Sequence, residues 1–286
     1  MRRLLALIAI VLAAGGVASA ARADEDDIMR SQRYLMAGDV ARAIESINEV
    51  IAEDPDYAPA YLLRARIWHM TGNFKKAAED YSQAIAHGLD RSPYMYTMRA
   101  DARFRSGDPM QAVADLDQAL KLDPGYWPAI AGRGIALAET GETARALADL
   151  DRALARDPGD IKEVLTSTHV RVLSRKGPPG RGSRTLSVTV HSLPIMAASH
   201  MARGKLRFGQ SAYNPALQDF DEVIRRAPNT MRAHMYRGLA LLALGRCEEG
   251  KSELDTPGLR ETAQFREAAT AHRDTVSKAG CSVEMP

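Results

Sequence analysis

In the stretch Trp127–Pro158, apolar and small residues return at three- and four-residue spacing, the period of a helix with one buried face. Ile130, Gly134 and Leu137 make one stripe and predict a helix from about Pro128 to Glu139. Gly141 ends it, since a glycine at positive φ is a common helix stop. Ala146, Leu150 and Ala153 make a second stripe over Thr143–Ala155, which Pro158 stops. Helices this short are not stable alone. The pattern recurs: Gly38, Gly72, Gly107 and Gly141 lie 34, 35 and 34 residues apart, and Ala43, Ala77, Ala112 and Ala146 keep the same steps. Pro55, Pro124 and Pro158 mark unit ends.

Further positions recur between these marks. One unit carries Tyr61, Ala65, Trp68, Ala77 and Tyr81, and the next carries Tyr96, Ala100, Ala112, Leu116 and Pro124. This set resembles the tetratricopeptide repeat family, whose unit is a helix-turn-helix of about 34 residues. The resemblance implies an all-α fold of such units stacked in a right-handed superhelix. Four units are expected over residues 24–158 and two over 197–257, followed by a capping helix and tail over 258–286. In the last unit Gly250 stands where an alanine is usual, and a looser unit is expected there.

Residues 159–196 break the pattern while keeping the length of one unit. Ile161–Ser174 reads as a first helix through Val164, Leu165 and Val172. Lys176–Ser183 holds three glycines and two prolines, which no helix tolerates. Leu186, Val188 and Val190 then alternate with polar residues at the period of a strand. The segment is read as a degenerate repeat whose second helix is replaced by a loop and an extended piece. The alternatives are a hairpin pairing Val170 and Val172 with Leu186–Val190, or a compensated frame error in the gene.

The first residues change the setting. Arg2 and Arg3 precede an apolar run, Leu4–Val17, and then small residues, the layout of a secretory signal peptide over 1–23 with cleavage near Ala20 or Ala23. The run is too short to cross a bilayer comfortably, so no stable membrane span is expected after removal. The expected location is the periplasm or the medium of a bacterium. Two cysteines remain, Cys247 and Cys281; in an oxidising compartment the simplest expectation is a disulfide, with two free thiols as the alternative. A net charge of +2 gives no basic excess and argues against a nucleic-acid partner.

One charge pattern looks like a site. Arg30, Arg64, Arg99, Arg133, Arg203 and Arg237 share a slot in the first helices, and Asp80, Asp115, Asp149, Asp219 and Glu253 share one in the second. Matched recurrence of both signs reads as structural pairing rather than an anion ladder. No zinc-binding histidine motif, phosphate loop or nucleophile elbow is present, and neither an enzyme nor a cofactor is expected.

The family resemblance implies that first helices line a concave face holding a peptide. Carried across, that face takes Arg66, His69 and Met70, then Tyr94, Thr97, Asp101, Phe104 and Arg105, then Ile135 and Glu139. Met201, Lys205, Phe208 and Met235 form a later patch. The clamp of Lys, Asn and Arg that chaperone-tail receptors of the family use for a terminal carboxylate is absent. The expected function is a peptide-binding scaffold or adaptor whose partner is another envelope protein; the alternative is a structural protein acting by self-association as a homo-oligomer.

Overall fold

The computed structural model describes residues 28–156, 166–173, 183–190, 192–256 and parts of 259–281. The expected signal peptide and most of the Pro/Gly-rich loop lie outside the described residues. The helices are α1 (28–36), α2 (Val40–Glu53), α3 (Ala58–Met70), α4 (Phe74–Ala84), α5 (Pro93–Arg105), α6 (Pro109–Leu122), α7 (Trp127–Glu139), α8 (Thr143–Leu154), α9 (Ser192–Gly209), α10 (Tyr213–Arg226), α11 (Met231–Ala243) and α12 (Cys247–Leu254). The strands β1 (Thr166–Leu173) and β2 (Ser183–Val190) lie between α8 and α9. The chain divides into two compact units: one runs to Pro124 and includes Ser167–Val188, and the other comprises Gly125–Thr166 and Thr189–Pro286.

Apart from α9–α10, the described helical hairpins turn on glycines. Gly72, Gly107 and Gly141 have φ of 79°, 92° and 84°, a region that costs a side chain energy. In the α9–α10 turn the same place is held by Ser211 at φ 61°. Asp39 and Asp108 cap α2 and α6 by accepting from the backbone N–H three residues on, at 3.0 Å in both cases. The 35-residue step has a local cause: after α4 the chain makes a π turn, Ile85–Leu89, that absorbs one residue with Gly88 at φ 111°.

In the first unit α3 packs on α4 and α5 on α6, with α4 also against α5. In the second, α7 packs on α8, α9 on α10 and α11 on α12. Small residues set how closely paired helices approach. A Cβ on Gly134, Gly204 or Gly238 would come within 2.8, 2.6 or 2.6 Å of Leu150, Phe220 or Leu254 respectively. Gly250 corrects the expectation of a loose last unit. A Cβ there would lie 2.7 Å from Leu242 and 3.0 Å from the Gly238 carbonyl, so this glycine permits a closer helix contact than alanine would.

The irregular segment differs from its reading. Residues 166–173 are a strand, not part of a first helix, and they pair with β2 in a two-stranded sheet. The connection, residues 174–182, is too short for the crossover a parallel pair needs, so the pair is a hairpin. The β-branched Thr166, Thr168, Val170 and Val172 fall at every second position, and that period prevails over the partial helical match. Beyond it, α9 packs directly on α7 and α8, in the place of the next repeat.

The apolar end of α11 and α12 is covered by the C-terminal segment. Leu259, Phe265, Ala268 and Cys281 join Leu239, Leu242 and Leu254 in one buried cluster. Cys281 is bonded to Cys247 at the start of α12, with Cα atoms 5.3 Å apart.

Candidate functional site on the inner helix faces

Pairing accounts for the arginine and acid ladder. Arg64 grips Asp80 with two hydrogen bonds of 2.7 Å, Arg99 grips Asp115 at 2.9 and 2.6 Å, and Arg133 grips Asp149 at 2.7 and 3.0 Å. Each arginine reaches the second helix of its own hairpin, sixteen residues on. Some reach the neighbouring unit too: Arg64 donates to Asn48 at 2.6 Å and Arg203 to Asp151 at 2.7 Å. The hydrogen bond to Asp80 outweighs burial and holds the Arg64 guanidinium above its ordinary pKa. The bidentate pairs tie the two helices of a hairpin together, and the bonds to Asn48 and Asp151 tie hairpin to hairpin.

Asp219 is the most enclosed acid of the ladder, 1% exposed. His200 faces it at 2.9 Å, and Arg203 and Arg207 donate to it at 2.6 and 2.9 Å. Burial pushes this carboxyl up, but the hydrogen bonds from His200 and Arg203 and the charge of Arg207 outweigh it and hold it below the usual carboxylate range.

The expected inner-face residues separate into three groups. Arg66 is exposed, and Met70 is 69% exposed, one turn apart on α3. A second group is tied together: His69 Nε2 lies 2.5 Å from Asp101 Oδ2, and Arg105 Nε donates to the same oxygen at 3.0 Å. Phe74, which the sequence reading missed, sits between them, edge-on to His69 at 5.3 Å with the Arg105 guanidinium 5.3 Å above its ring. Burial pushes Asp101 up, while the His69 hydrogen bond and the Arg105 charge bring it below its ordinary range. In the second unit, Lys205 pairs with Glu139 at 3.4 Å.

The third group belongs to the core. Tyr94 and Phe208 are each 3% exposed and Met235 is 2%. Phe208 packs against Tyr213 and Tyr236 at 5.3 and 5.7 Å, and rings of this size bury themselves against neighbours even at an inner-face slot. Thr97 turns its hydroxyl to the Pro93 carbonyl at 2.8 Å, and Phe104 is half-buried. Among the described residues there is no cluster of three or more His, Cys, Asp or Glu able to hold a metal. No described helix is long and apolar enough to cross a membrane.

Comparison with known proteins agrees with this architecture. The tetratricopeptide repeat family profile matches residues 28–95, 97–161 and 201–250. The chain is 27% identical over 124 residues to a DnaJ homolog subfamily C member 7 homolog of Schizosaccharomyces pombe, a match covering 38% of this chain and 26% of that protein. It therefore spans about a quarter of that relative's length.

Among solved structures, PilW, a type IV pilus biogenesis factor, aligns with a TM-score of 0.60 at 18% identity, over 86% of this chain and 97% of that one. YrrB, a repeat protein with an unusual peptide-binding site, aligns at 0.51 and 17%, over 72% and 88%. A repeat protein from Parabacteroides merdae aligns at 0.61 and 14%, over 90% and 91%. At these identities the likeness concerns the fold. With profile matches over well more than half of its residues and paired helices across them, most of the pairs turned on a glycine, this chain belongs to the tetratricopeptide repeat family.

Proposed function

We propose that the chain is a non-enzymatic scaffold that holds a peptide segment of another protein against the inner faces of α3 and α5, in the bacterial cell envelope. The observation that carries this is the exposure of Arg66 and Met70 beside the tied group His69, Asp101 and Arg105. A methionine supplies adaptable apolar contact, and fixed charges set a peptide's register. The peptide-binding site named for YrrB and the pilus biogenesis role named for PilW support a partner-binding reading. The leader-like N-terminus and the disulfide support an exported location.

The test is affinity capture from a periplasmic extract, comparing the wild type with an Arg66→Glu, Met70→Ser, Asp101→Asn triple variant. One partner is expected with the wild type and not with the variant, at equal folding by circular dichroism. Equal capture by both would overturn the reading.

A further inference from the structure

The ladder arginines Arg64, Arg99 and Arg133 each grip an acid through two nitrogens. Arg105 is used differently. Its Nε donates to Asp101 Oδ2 at 3.0 Å, one turn back on α5, and this is its one hydrogen bond among the described residues. The same oxygen is held from α3 by His69 Nε2 at 2.5 Å. The Arg105 guanidinium also lies 5.3 Å over the Phe74 ring, which meets His69 edge-on. Two contacts, one at Nε and one at the guanidinium carbon, thus hold the group in place. An ion pair this exposed contributes little to stability, so its effect is to orient the guanidinium. The side chain is 53% exposed, and its two terminal nitrogens are unengaged among the described residues. They form a planar pair of donors matched to the two oxygens of a carboxylate.

The surroundings add charge and a direction. Arg66 is exposed and makes no hydrogen bond or ion pair among the described residues. It stands three residues before His69 on α3, the spacing of neighbours on one helix face. Two arginines therefore face the single carboxylate of Asp101, which His69 also engages. Met36, Met70 and Arg105 stand two residues before Gly38, Gly72 and Gly107, the turn glycines of consecutive units. Met36 and Met70 are 88% and 69% exposed. A segment crossing these units in order meets apolar contacts and then a cation.

We propose that Arg105 anchors the carboxylate of an acidic side chain in the bound peptide, with Met70 and Met36 taking apolar residues on one side of it. This deepens the function proposed above and rests on it. The two terminal nitrogens of Arg105 donate to the two carboxylate oxygens, while Nε keeps its bond to Asp101. Little side-chain freedom is lost on binding, because the guanidinium is already held. Arg66 supplies the surplus positive charge. The site rejects the amide isostere, since Gln turns an N–H toward a group made of N–H donors.

The experiment uses the full chain, immobilised, and acetylated, amidated nonapeptides with a central Glu or Gln and the other positions randomised among uncharged residues. A parallel library has free C-termini. The expected result is retention of Glu peptides at roughly tenfold or greater preference over Gln peptides, with apolar residues enriched on one side of the Glu only. Arg105→Gln should abolish the preference at an unchanged circular dichroism spectrum. Arg105→Lys, which keeps the charge and loses the planar fork, should reduce it severalfold. Met70→Ser should lower retention of Glu and Gln peptides alike and leave their ratio unchanged.

Retention with no Glu preference, or a preference that Arg105→Gln keeps, would overturn the subsite and leave the peptide-binding reading standing. An undiminished preference in Arg105→Lys would overturn the role of the fork. Apolar enrichment on both sides or on neither would overturn the placing of Met70 and Met36. Retention of free-terminus peptides alone would overturn the side-chain assignment in favour of a chain end. Retention of no peptide would overturn both the subsite and the function on which it rests.

Discussion

At the scale of single residues, the turn position shows how backbone geometry decides the sign of a substitution. Ser211 holds a left-handed conformation, φ 61°, in a slot filled elsewhere by glycine. Ser211→Gly should therefore stabilise by about 0.5–1 kcal/mol, read as a higher melting temperature, because glycine adopts this region without steric cost. The reverse change at Gly250 should destabilise. Gly250→Ala gains helix propensity of about 1 kcal/mol, but its Cβ would press on Leu242 and on the fixed Gly238 carbonyl, and overpacking of this kind costs about 1–3 kcal/mol. A net loss of stability in denaturant titration is the expected outcome.

Asp219 gives the pH dependence. A carboxyl held below its unfolded value stabilises the fold fully above that value, near pH 4, and loses the contribution as pH falls through the folded value. Melting temperature should be flat above about pH 5 and fall on acidification below about pH 4. Asp219→Asn should be less stable at neutral pH and show a shallower acid limb. A limb of unchanged steepness would remove Asp219 from the acid response.

At the scale of the element, the helix pairs were legible because glycine, alanine and proline recur at fixed steps and each has a backbone reason to be there. The strands were not, since Val164, Leu165 and Val172 also satisfy a helical spacing and a short apolar run carries little period information. Inner-face slots were legible as slots, but not which side chains would leave the surface. Tyr94, Phe208 and Met235 are buried, while Phe74, at the start of α4 and outside the expected row, lies between His69 and Arg105.

The C-terminal latch belongs to the same scale. Cys247 and Cys281 are 34 residues apart, and closing a loop of that length contributes about 3–4 kcal/mol through the unfolded chain. Cys281→Ser should lower stability by up to that amount. Fluorescent dye binding should rise as Leu239, Leu242 and Leu254 lose their cover. Unchanged dye binding would mean that packing alone holds the segment.

At the scale of the whole molecule, the array and the hairpin are separable features of the chain. Within the second unit α9 already occupies the next repeat's place against α7 and α8, and both Arg203 and Arg207 reach Asp151, at 2.7 and 3.2 Å. The contacts that join consecutive repeats elsewhere are therefore complete without the residues in between. Deleting 160–195 would join Gly159 to Met196, so that Asp157-Pro158-Gly159-Met196 precedes Ala197 as Asp123-Pro124-Gly125-Tyr126 precedes Trp127. The step from Gly141 to Ser211 then becomes 34 residues, the regular length of a unit.

Repeat stability is approximately a sum of unit and nearest-neighbour terms, and this deletion leaves those terms in place. The shortened chain should fold with helical content per residue raised and a melting temperature within a few degrees of the wild type, as a ~2 °C shift per kcal/mol implies for a chain of this size. Loss of cooperative unfolding would show instead that the hairpin holds the junction. Capture of the same partner by wild-type and shortened chains would place recognition on the helical surfaces, as the Arg66 and Met70 face requires.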